Sequence, residues 1–370
     1  MRLVLGYSGD PGLMSVERAI AEFRLARPVL VSDGDAEAIV IGVEDLDEEL
    51  CRRLDVVAGG RARLILTGPR LRRLGLDRED HGAVAMPVVD PARVEALARR
   101  IDARIDAPVR AASQIDLDGL ELARLALISP AVIVVPLPAE MEREPSILTV
   151  TGEDLRAFRR KQATRLRIAS RAPVPLEGAP DTEFVVFRGG EGMRDQIAII
   201  VGKPDLAKPV FVRLHSACLT GDLFGSLKCD CGDQLRGAVR AMAQADGGIL
   251  LYLDQEGRGN GIANKIRAYK MQSEGFDTYD ADAAMGFGLD QRRFDFAARM
   301  LSQLGVASVR VLTNNPLKIE ALEAAGLDVV ADERSIGRAN PENLRYLAAK
   351  RDRAGHMIDL DAVFAAPHQD

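Results

Sequence analysis

Three of the four cysteines lie close together in the chain, and their spacing could hold a metal ion. Cys218, Cys229 and Cys231 fall within fourteen residues, whereas Cys51 lies far from them. Thiolates suit zinc, which takes four ligands in a tetrahedral arrangement. Three protein ligands leave one position open for water, as in catalytic zinc sites. A closed site of three cysteines and one histidine remains the alternative, because His215 lies three residues before Cys218.

A glycine-rich turn supplies a second chemical signal. Residues Gln255–Gly261 (QEGRGNG) follow the apolar run GILLYL and precede a helical pattern with Ile262, Ile266 and Tyr269 on one face. Backbone N–H groups at the start of a helix bind anions, and Arg258 can grip a phosphate with two hydrogen bonds. The spacing matches neither a Walker loop nor a dinucleotide fingerprint, so a purely structural turn remains open.

Two further segments combine a predicted helix start with polar side chains. In Thr313–Lys318 (TNNPLK) the lysine could reach a phosphate, although a plain capping turn also explains the Asn-Pro pair. Asp290 and Arg292 precede another helix, either as an exposed ion pair of little energetic value or as an acid–base pair that contacts phosphate. Together the four signals predict a metal-activated water beside anion-binding helix starts, which suggests hydrolysis of a nucleotide.

Composition restricts the class of protein. The 370 residues are enough for about two domains of roughly 150 residues each. The net charge of −6 argues against a nucleic-acid-binding protein. No apolar run reaches the ~18–20 residues of a membrane helix, and the start MRLVLGYSGDPG lacks the core of a secretory signal. We therefore expect a cytoplasmic protein that binds neither membrane nor nucleic acid, with no disulfide framework.

The elements that must position these residues follow a mixed α/β pattern in two domains. Residues 1–150 form the first domain, a basic and proline-rich linker occupies 151–180, and 181–370 form the second. In the first domain we predict a helix over Ser15–Ala26, with Ser15 as its N-cap. Its predicted strands are Val29–Ser32, Ala38–Val43, Arg63–Gly68 and Ala131–Pro138.

The second domain is denser in predicted elements. The runs FVVF and QIAIIVG are typical of a hairpin, and a later helix carries Phe294, Ala298 and Leu301 on one face. Another helix begins after Asn315 as N-cap and ends before Gly326. The remaining strands are predicted at Val210–Ser216, Gly248–Leu253 and Ser308–Thr313.

Three long segments resemble GTP cyclohydrolase II of riboflavin biosynthesis. They are RLHSACLTGDLFGSLKCDCGDQL, DQEGRGNGIANKIRAYKMQSEGFDT and LTNNPLK, in the order and spacing of that family. The resemblance runs from about Ala172 to Ile358. It implies that GTP loses C8 of its base as formate and also loses pyrophosphate, which leaves 2,5-diamino-6-ribosylamino-4(3H)-pyrimidinone 5′-phosphate.

The resemblance also implies cofactors and residue roles. One zinc ion per chain, on Cys218, Cys229 and Cys231, would activate the water that attacks C8. Magnesium would accompany the triphosphate, and the enzyme would be a homodimer. Arg292 would attack the α-phosphate, Asp290 would accept a proton, and Tyr269 would lie near the base. The positions that match GTP contacts are Arg213, Leu214, His215, Ser216, Ala217, Gln234, Glu256, Gly257, Arg258, Thr278, Thr313 and Lys318.

Several positions depart from the family pattern. Ala217 stands where the family often has glutamate, Gln291 and Arg293 replace acids, and Ala281–Gly286 (ADAAMG) replaces a run that contains Asn-His. Two alternatives therefore stay open. The chain could be a catalytically impaired or regulatory GTP-binding homologue, or a purine-nucleotide cyclohydrolase with a different product.

The first domain resembles 3,4-dihydroxy-2-butanone 4-phosphate synthase, which is fused to this cyclohydrolase in many bacteria. The segments VERAIAEFRLARPVLVSDGDAEAIVIG and TGEDLRAFRR carry the resemblance. However, SDGDAEA replaces the synthase's acidic loop, whose carboxylates hold magnesium. We therefore predict a degenerate domain without synthase activity.

Overall fold

The computed structural model describes residues 9–138, 141, 144–190, 194–288, 290–335, 337, 340 and 342–358. Met1–Ser8, on which the interpretation of the N-terminus depends, lie outside the described residues. The chain divides into two compact units. Unit 1 comprises Met1–Lys161 and Asp280–Leu289, and unit 2 comprises Gln162–Tyr279 and Asp290–Asp370.

Unit 1 is built around a mixed, seven-stranded sheet in the order β5-β4-β3-β6-β2-β1-β7. Apolar side chains on its two faces form two separate buried clusters beneath the helices. In chain order its elements are α1 (Pro11–Arg24), β1 (Val29–Asp33), β2 (Ala36–Gly42), α2 (Glu48–Ala58), β3 (Arg63–Leu66), α3 (Gly68–Arg73), β4 (Gly82–Ala85), α4 (Pro91–Arg99), β5 (Val109–Ala111), α5 (Gln114–Leu125), β6 (Ala131–Pro136) and β7 (Thr149–Thr151).

The four strands predicted in this half of the chain are present as β1, β2, β3 and β6. The start of the first helix was predicted wrongly. Asp10 is its N-cap, and its carboxylate accepts hydrogen bonds from the backbone N–H groups of Gly12 and Leu13. Pro11 occupies the first helical position, where a missing N–H costs nothing. Ser15 therefore lies inside α1 rather than at its end.

Unit 2 is built around a second seven-stranded sheet, in the order β14-β13-β11-β12-β10-β9-β8. Strands β11 to β14 pair in parallel, and β8, β9 and β10 pair antiparallel, with the predicted hairpin present as β9 and β10. After β7 the elements in chain order are α6 (Gly152–Thr164), β8 (Arg167–Pro173), β9 (Thr182–Arg188), β10 (Asp195–Val201), β11 (Val210–Ser216), α7 (Leu219–Asp222), α8 (Cys231–Gln244), β12 (Gly248–Leu253), α9 (Ile262–Ser273), α10 (Thr278–Ala284), α11 (Asp295–Gln303), β13 (Ser308–Leu312), α12 (Pro316–Ala324), β14 (Asp328–Glu333) and α13 (Leu344–Ala354). Of these, α6 and α10 each include residues of both units.

The predicted linker and one segment of the predicted second domain can be located among these elements. The predicted linker 151–180 contains α6 and β8, and β8 is an edge strand of the second sheet. The segment Asp280–Leu289, which lies within the predicted second domain, belongs to compact unit 1. Among the described residues, no helix combines the length and apolar composition that a membrane span requires.

Two buried side chains of unit 1 bind the segment Asp280–Leu289. The hydroxyl of Thr67 donates to the carbonyl of Gly286 at 2.6 Å. Arg70 donates from Nη1 to the carbonyl of Ala284 at 2.7 Å, and its other nitrogens donate to carbonyls at the end of α4. Arg70 is 1% exposed, and burial lowers its pKa to about 10, so it remains charged at neutral pH. One guanidinium thus satisfies the carbonyl ends of two helices.

Replacing Arg70 should destabilise unit 1. In Arg70→Met the carbonyls of Ala284 and α4 lose their donors in a buried place, so we expect the free energy of unfolding to fall by about 3 kcal/mol. Urea denaturation measures the change. Arg72→Met removes an exposed guanidinium from the same helix and should have little effect. Equal losses in the two variants would contradict the assigned role of Arg70.

Candidate metal and nucleotide site

The three clustered cysteines converge on one point in unit 2. Their Sγ atoms lie within 4.8 Å of one another, and those of Cys218 and Cys229 are 3.6 Å apart. Cys218 follows β11, and Cys231 opens α8. Gly221 leaves the space that they need, because a Cβ atom there would lie 2.7 Å from the Cys229 sulfur and 3.0 Å from that of Cys218. Three converging thiols in a cradle of this kind fit a zinc ion.

His215 does not join the three thiols. Its Nε2 lies 3.1 Å from both carboxylate oxygens of Asp222, and its ring stacks on Tyr252. Burial lowers the pKa of His215, so the imidazole is neutral at neutral pH. Among the described residues, the group that could hold a metal consists of the three cysteines alone. The geometry therefore favours the open site over the closed alternative.

Asp222 is a structural centre of this region that the sequence reasoning missed. Besides His215, its carboxylate accepts hydrogen bonds from the Cys218 backbone N–H at 2.9 Å and from the Tyr252 hydroxyl at 3.0 Å. These bonds connect the ends of β11 and β12 to the loop that carries the first cysteine. The four-residue spacing between Cys218 and Asp222 was the available signal, because it places both at the ends of one short helical turn.

Glu256 and Lys265 form a second connection to the cysteines. The Glu256 carboxylate accepts hydrogen bonds from the backbone N–H groups of Leu219 at 2.6 Å and Gly257 at 2.9 Å. It also accepts one from the Lys265 ammonium at 2.8 Å, and that same ammonium lies 3.1 Å from the Cys218 sulfur. Glu256 was a predicted GTP contact, whereas Lys265 was not singled out.

The glycine-rich turn connects β12 to α9, as predicted. Glu256–Gly259 form a short 3-10 turn in which Gly257 and Arg258 both have a φ of 60°. Such a φ is unusual for a residue with a side chain and is often found at functional sites. The Arg258 guanidinium donates to the carbonyl of Thr278 at 3.3 Å and lies 4.3 Å from the centre of the Tyr279 ring. Arg258 is therefore in contact with a second predicted GTP-binding position.

Buried cations lie at the carboxyl ends of the parallel strands. Arg213 donates to the Gln234 side chain at 2.7 Å, and Lys318 donates to the carbonyl of Leu214 at 2.5 Å. Burial lowers the pKa of Arg213 to about 10 and that of Lys318 well below its ordinary value. The Nε of Arg213 is buried without a hydrogen-bond partner among the described residues. An anion bound here would favour the charged form of both side chains.

Asp290 and Arg292 form a buried ion pair rather than the exposed one that the sequence left open. The carboxylate accepts from Nε of Arg292 at 2.9 Å and from Nη2 at 2.5 Å. Burial opposes both charges, but mutual attraction outweighs it, so the pKa of Asp290 is lowered and that of Arg292 is raised. Nη1 of Arg292 instead faces the Ser216 hydroxyl at 3.4 Å.

The remaining predicted site residues also lie in unit 2, and they differ in whether their side chains or only their backbones make hydrogen bonds. The Tyr269 hydroxyl is 3.5 Å from that of Thr220, beside the first cysteine. The Thr313 hydroxyl accepts from the Asn315 backbone N–H, and Asn315 caps α12 as predicted. Ala217 makes a backbone hydrogen bond to Leu253. Thr313 thus has the structural role that the sequence left open.

The C-terminal segment also reaches this region, which the sequence reasoning did not predict. Lys350 on α13 lies 3.6 Å from Asp230, the residue between the second and third cysteines. The backbone N–H of Met357 donates to the carbonyl of Asn314. Burial, followed by the positive charges of Lys350, Arg292 and Lys318, lowers the pKa of His356 to about 3. Spacing along the sequence could not identify these residues as part of the site, because their contacts join distant parts of the chain.

Metal content should separate the open site from the closed one. His215→Gln keeps a hydrogen-bond donor toward Asp222 and should retain one metal ion per folded chain. Cys231→Ser removes a ligand and should lose most of the metal. Elemental analysis of both variants after dialysis provides the measurement, with circular dichroism to verify folding. Loss of metal from His215→Gln as complete as from Cys231→Ser would support the closed alternative.

Comparison with known proteins adds sequence relatives to this geometry. The family model described as GTP cyclohydrolase II matches residues 167–334. A GTP cyclohydrolase-2 from Xylella fastidiosa strain Temecula1 is 42% identical over 363 residues, which cover 96% of this chain and 90% of the relative. One from Azospirillum brasilense is 38% identical and covers 94% and 95%. A solved two-domain 3,4-dihydroxy-2-butanone 4-phosphate synthase from A. baumannii has a TM-score of 0.34 and 17% identity, with coverage of 86% and 98%.

Proposed function

The chain belongs to the GTP cyclohydrolase II family, and from this membership we propose how its own residues carry out the reaction. It is a GTP cyclohydrolase II, the enzyme of the first step of riboflavin biosynthesis. The observation that carries the proposal is the convergence of three thiols beside buried cations at one edge of the unit 2 sheet. The expected products are the diaminopyrimidine nucleotide, formate and pyrophosphate.

Cys218, Cys229 and Cys231 would hold the zinc ion. Bound there, zinc supplies a Lewis acid that makes a water molecule nucleophilic near neutral pH. The role of the protein is to leave one side of the thiol cluster open, and the engagement of His215 by Asp222 supports this. The Tyr269 hydroxyl lies 3.5 Å from that of Thr220, close to Cys218, and this position supports the proposed contact of Tyr269 with the guanine base.

Arg292 and Asp290 would act on the α-phosphate. Asp290 bonds Nε and Nη2 of Arg292, which fixes the guanidinium plane and leaves Nη1 directed toward Ser216. Both groups are charged in the resting protein, so the proton would pass to Asp290 only as the bond from the guanidinium nitrogen to the α-phosphorus forms and the bond to the departing pyrophosphate breaks. Water would then cleave the phosphorus–nitrogen bond and release the nucleotide monophosphate. This proposed order explains how a group as basic as arginine could serve as a nucleophile.

The triphosphate would neutralise the buried cations at the strand ends. Arg213 and Lys318 are desolvated, and an anion is the partner that restores their electrostatic balance. Magnesium would enter with the triphosphate, since this ion usually binds through substrate phosphates and retained waters. Gln234 on α8 orients Arg213 by accepting a hydrogen bond from its guanidinium, whereas Glu256 in the glycine-rich turn holds Lys265. At position 217 only backbone contacts with GTP remain possible, because alanine carries no carboxylate.

Unit 1 would have no synthase activity. The segment SDGDAEA forms the turn between β1 and β2, where Gly34 has a φ of 60°. The Asp33 carboxylate there accepts a hydrogen bond from Arg156 at 2.9 Å, so it is engaged in an ion pair. The acidic residues that would hold magnesium in a synthase are replaced in this turn. A structural role for unit 1 follows, in a cytoplasmic enzyme.

A homodimer is the assembly that we propose. Large apolar side chains are exposed on α7, on the loop after it and on the first turns of α9, beside the cysteines. Exposed clusters of this kind mark interaction surfaces. Leu223 and Phe224 are 70% and 74% exposed, and the others are Leu219, Leu227, Ile262 and Ile266.

Product analysis tests the function directly. Purified protein incubated with GTP and Mg²⁺ should release formate and pyrophosphate in equal amounts and yield the diaminopyrimidine nucleotide, identified by its mass. Cys229→Ser should abolish formate release, whereas Cys51→Ser, a buried thiol in unit 1, should retain it. Binding of GTP without turnover would instead identify a regulatory homologue, and a nucleotide that retains C8 would identify a different product.

Light scattering coupled to size-exclusion chromatography tests the assembly. The wild-type protein should elute with the mass of two chains, and Phe224→Ser should shift it toward one chain because the apolar contact is lost. Val330→Ser, an exposed apolar position on β14, serves as the control and should leave the mass unchanged. A monomeric wild-type protein would refute the homodimer.

A further inference from the structure

A lysine outside the predicted site lies against the first cysteine. The side chain of Lys265 on α9 is 11% exposed, and its ammonium nitrogen lies 3.1 Å from the Cys218 sulfur. The Glu256 carboxylate, also 11% exposed, holds the same ammonium at 2.8 Å. The ammonium is therefore fixed between an acid and a sulfur atom rather than free in solvent.

The net charge of a three-cysteine zinc centre gives a physical reason for an ammonium beside Cys218. Cysteine binds zinc as a thiolate, so three ligands on a dication leave a net charge of −1 in a largely buried place. An ammonium that donates to one thiolate compensates this charge and forms a charge-assisted hydrogen bond. It also withdraws electron density from the sulfur, which leaves the metal a stronger Lewis acid.

The surroundings of Lys265 indicate that the contact is directed at the sulfur. Glu256 already accepts hydrogen bonds from two backbone N–H groups, so it does not depend on Lys265 for all of its partners. Besides the other two thiols and Lys265, the nearest polar group to the Cys218 sulfur among the described residues is the Thr220 hydroxyl, at 3.8 Å. Burying an ammonium is unfavourable unless it is paired and hydrogen-bonded, and the two partners together offset the loss of hydration.

We propose that Lys265 is a positioning residue of the zinc centre, which holds Cys218 in its ligating orientation and sets the affinity for zinc. The proposal rests on the zinc site proposed above. Glu256 fixes the ammonium, and the bond from Leu219 to Glu256 fixes the backbone next to Cys218. Glu256 thus orients both Cys218 and the Lys265 ammonium, which balances the charge of the Cys218 thiolate.

Zinc affinity tests the proposal without reference to turnover. In a competition titration with a chromophoric chelator, Lys265→Met should bind zinc 10- to 100-fold more weakly, as is typical when a partner of a metal ligand is lost. Lys265→Arg keeps a charged donor and should recover most of the affinity. Lys270→Met removes an exposed ammonium from the same helix and should match the wild type.

The cobalt-substituted protein gives a second readout that a general loss of stability would not change. A thiolate without its hydrogen bond is a better electron donor, so the sulfur-to-cobalt charge-transfer band of Lys265→Met should move to longer wavelength. Lys265→Gln retains a neutral hydrogen-bond donor and provides the same comparison if Lys265→Met does not fold. Its charge-transfer band should show a smaller shift, also to longer wavelength.

The outcomes separate the two proposals. Zinc affinity and a charge-transfer band equal to those of the wild type in Lys265→Met would refute the role of Lys265 while leaving the zinc site intact. Failure of the wild-type protein to bind one zinc ion per chain would refute the zinc site itself. Weaker binding in both Lys265→Met and Lys270→Met would show a non-specific effect of charge and would also refute the proposal.

Discussion

The parallel alignment of β11, β12 and β13 is the constraint on which the candidate site depends. Parallel strands end at the same edge of a sheet, and ligands bind there in open α/β sheets. The Cys218 loop follows β11, the glycine-rich turn follows β12, and the Asn315-capped turn follows β13. Segments far apart in the sequence are thereby brought to one place. Hydrogen bonds that Asp222 and Glu256 accept then join the first two connections to each other.

Electrostatics at this edge depend on compensation of buried charge. Asp290 balances Arg292, and Glu256 balances Lys265, within the protein itself. Arg213 and Lys318 have polar partners but no comparable ion pair among the described residues, and burial lowers the pKa of both. A site that retains desolvated cations is prepared for an anionic ligand, because the cost of desolvation is already met when the ligand arrives. The proposed affinity for a triphosphate rests on this arrangement more than on any single contact.

Local signals made much of the fold and site predictable. Apolar runs identified the strands, the Asn-Pro pair identified the start of α12, and three closely spaced cysteines identified the metal cluster, because each depends on neighbouring residues. The start of α1 was missed because Asp10 and Pro11 form a stronger cap than Ser15. Lys265, Asp222 and Lys350 could not be inferred in this way. Their roles depend on which side chains the tertiary fold brings within reach, and spacing along the chain does not encode that.

The membership of Asp280–Leu289 in unit 1 determines whether the two units can be separated by one cut in the chain. Fused proteins are often separable, because one cut in the linker releases two intact parts. Here a cut after Lys161 would separate Thr67 and Arg70 from the carbonyls of Gly286 and Ala284 that they bind. The first part would lose acceptors for a buried guanidinium, and the second would carry carbonyls without their donors. One cut in the chain would therefore not release two intact units, because part of unit 1 is encoded more than a hundred residues downstream of Lys161.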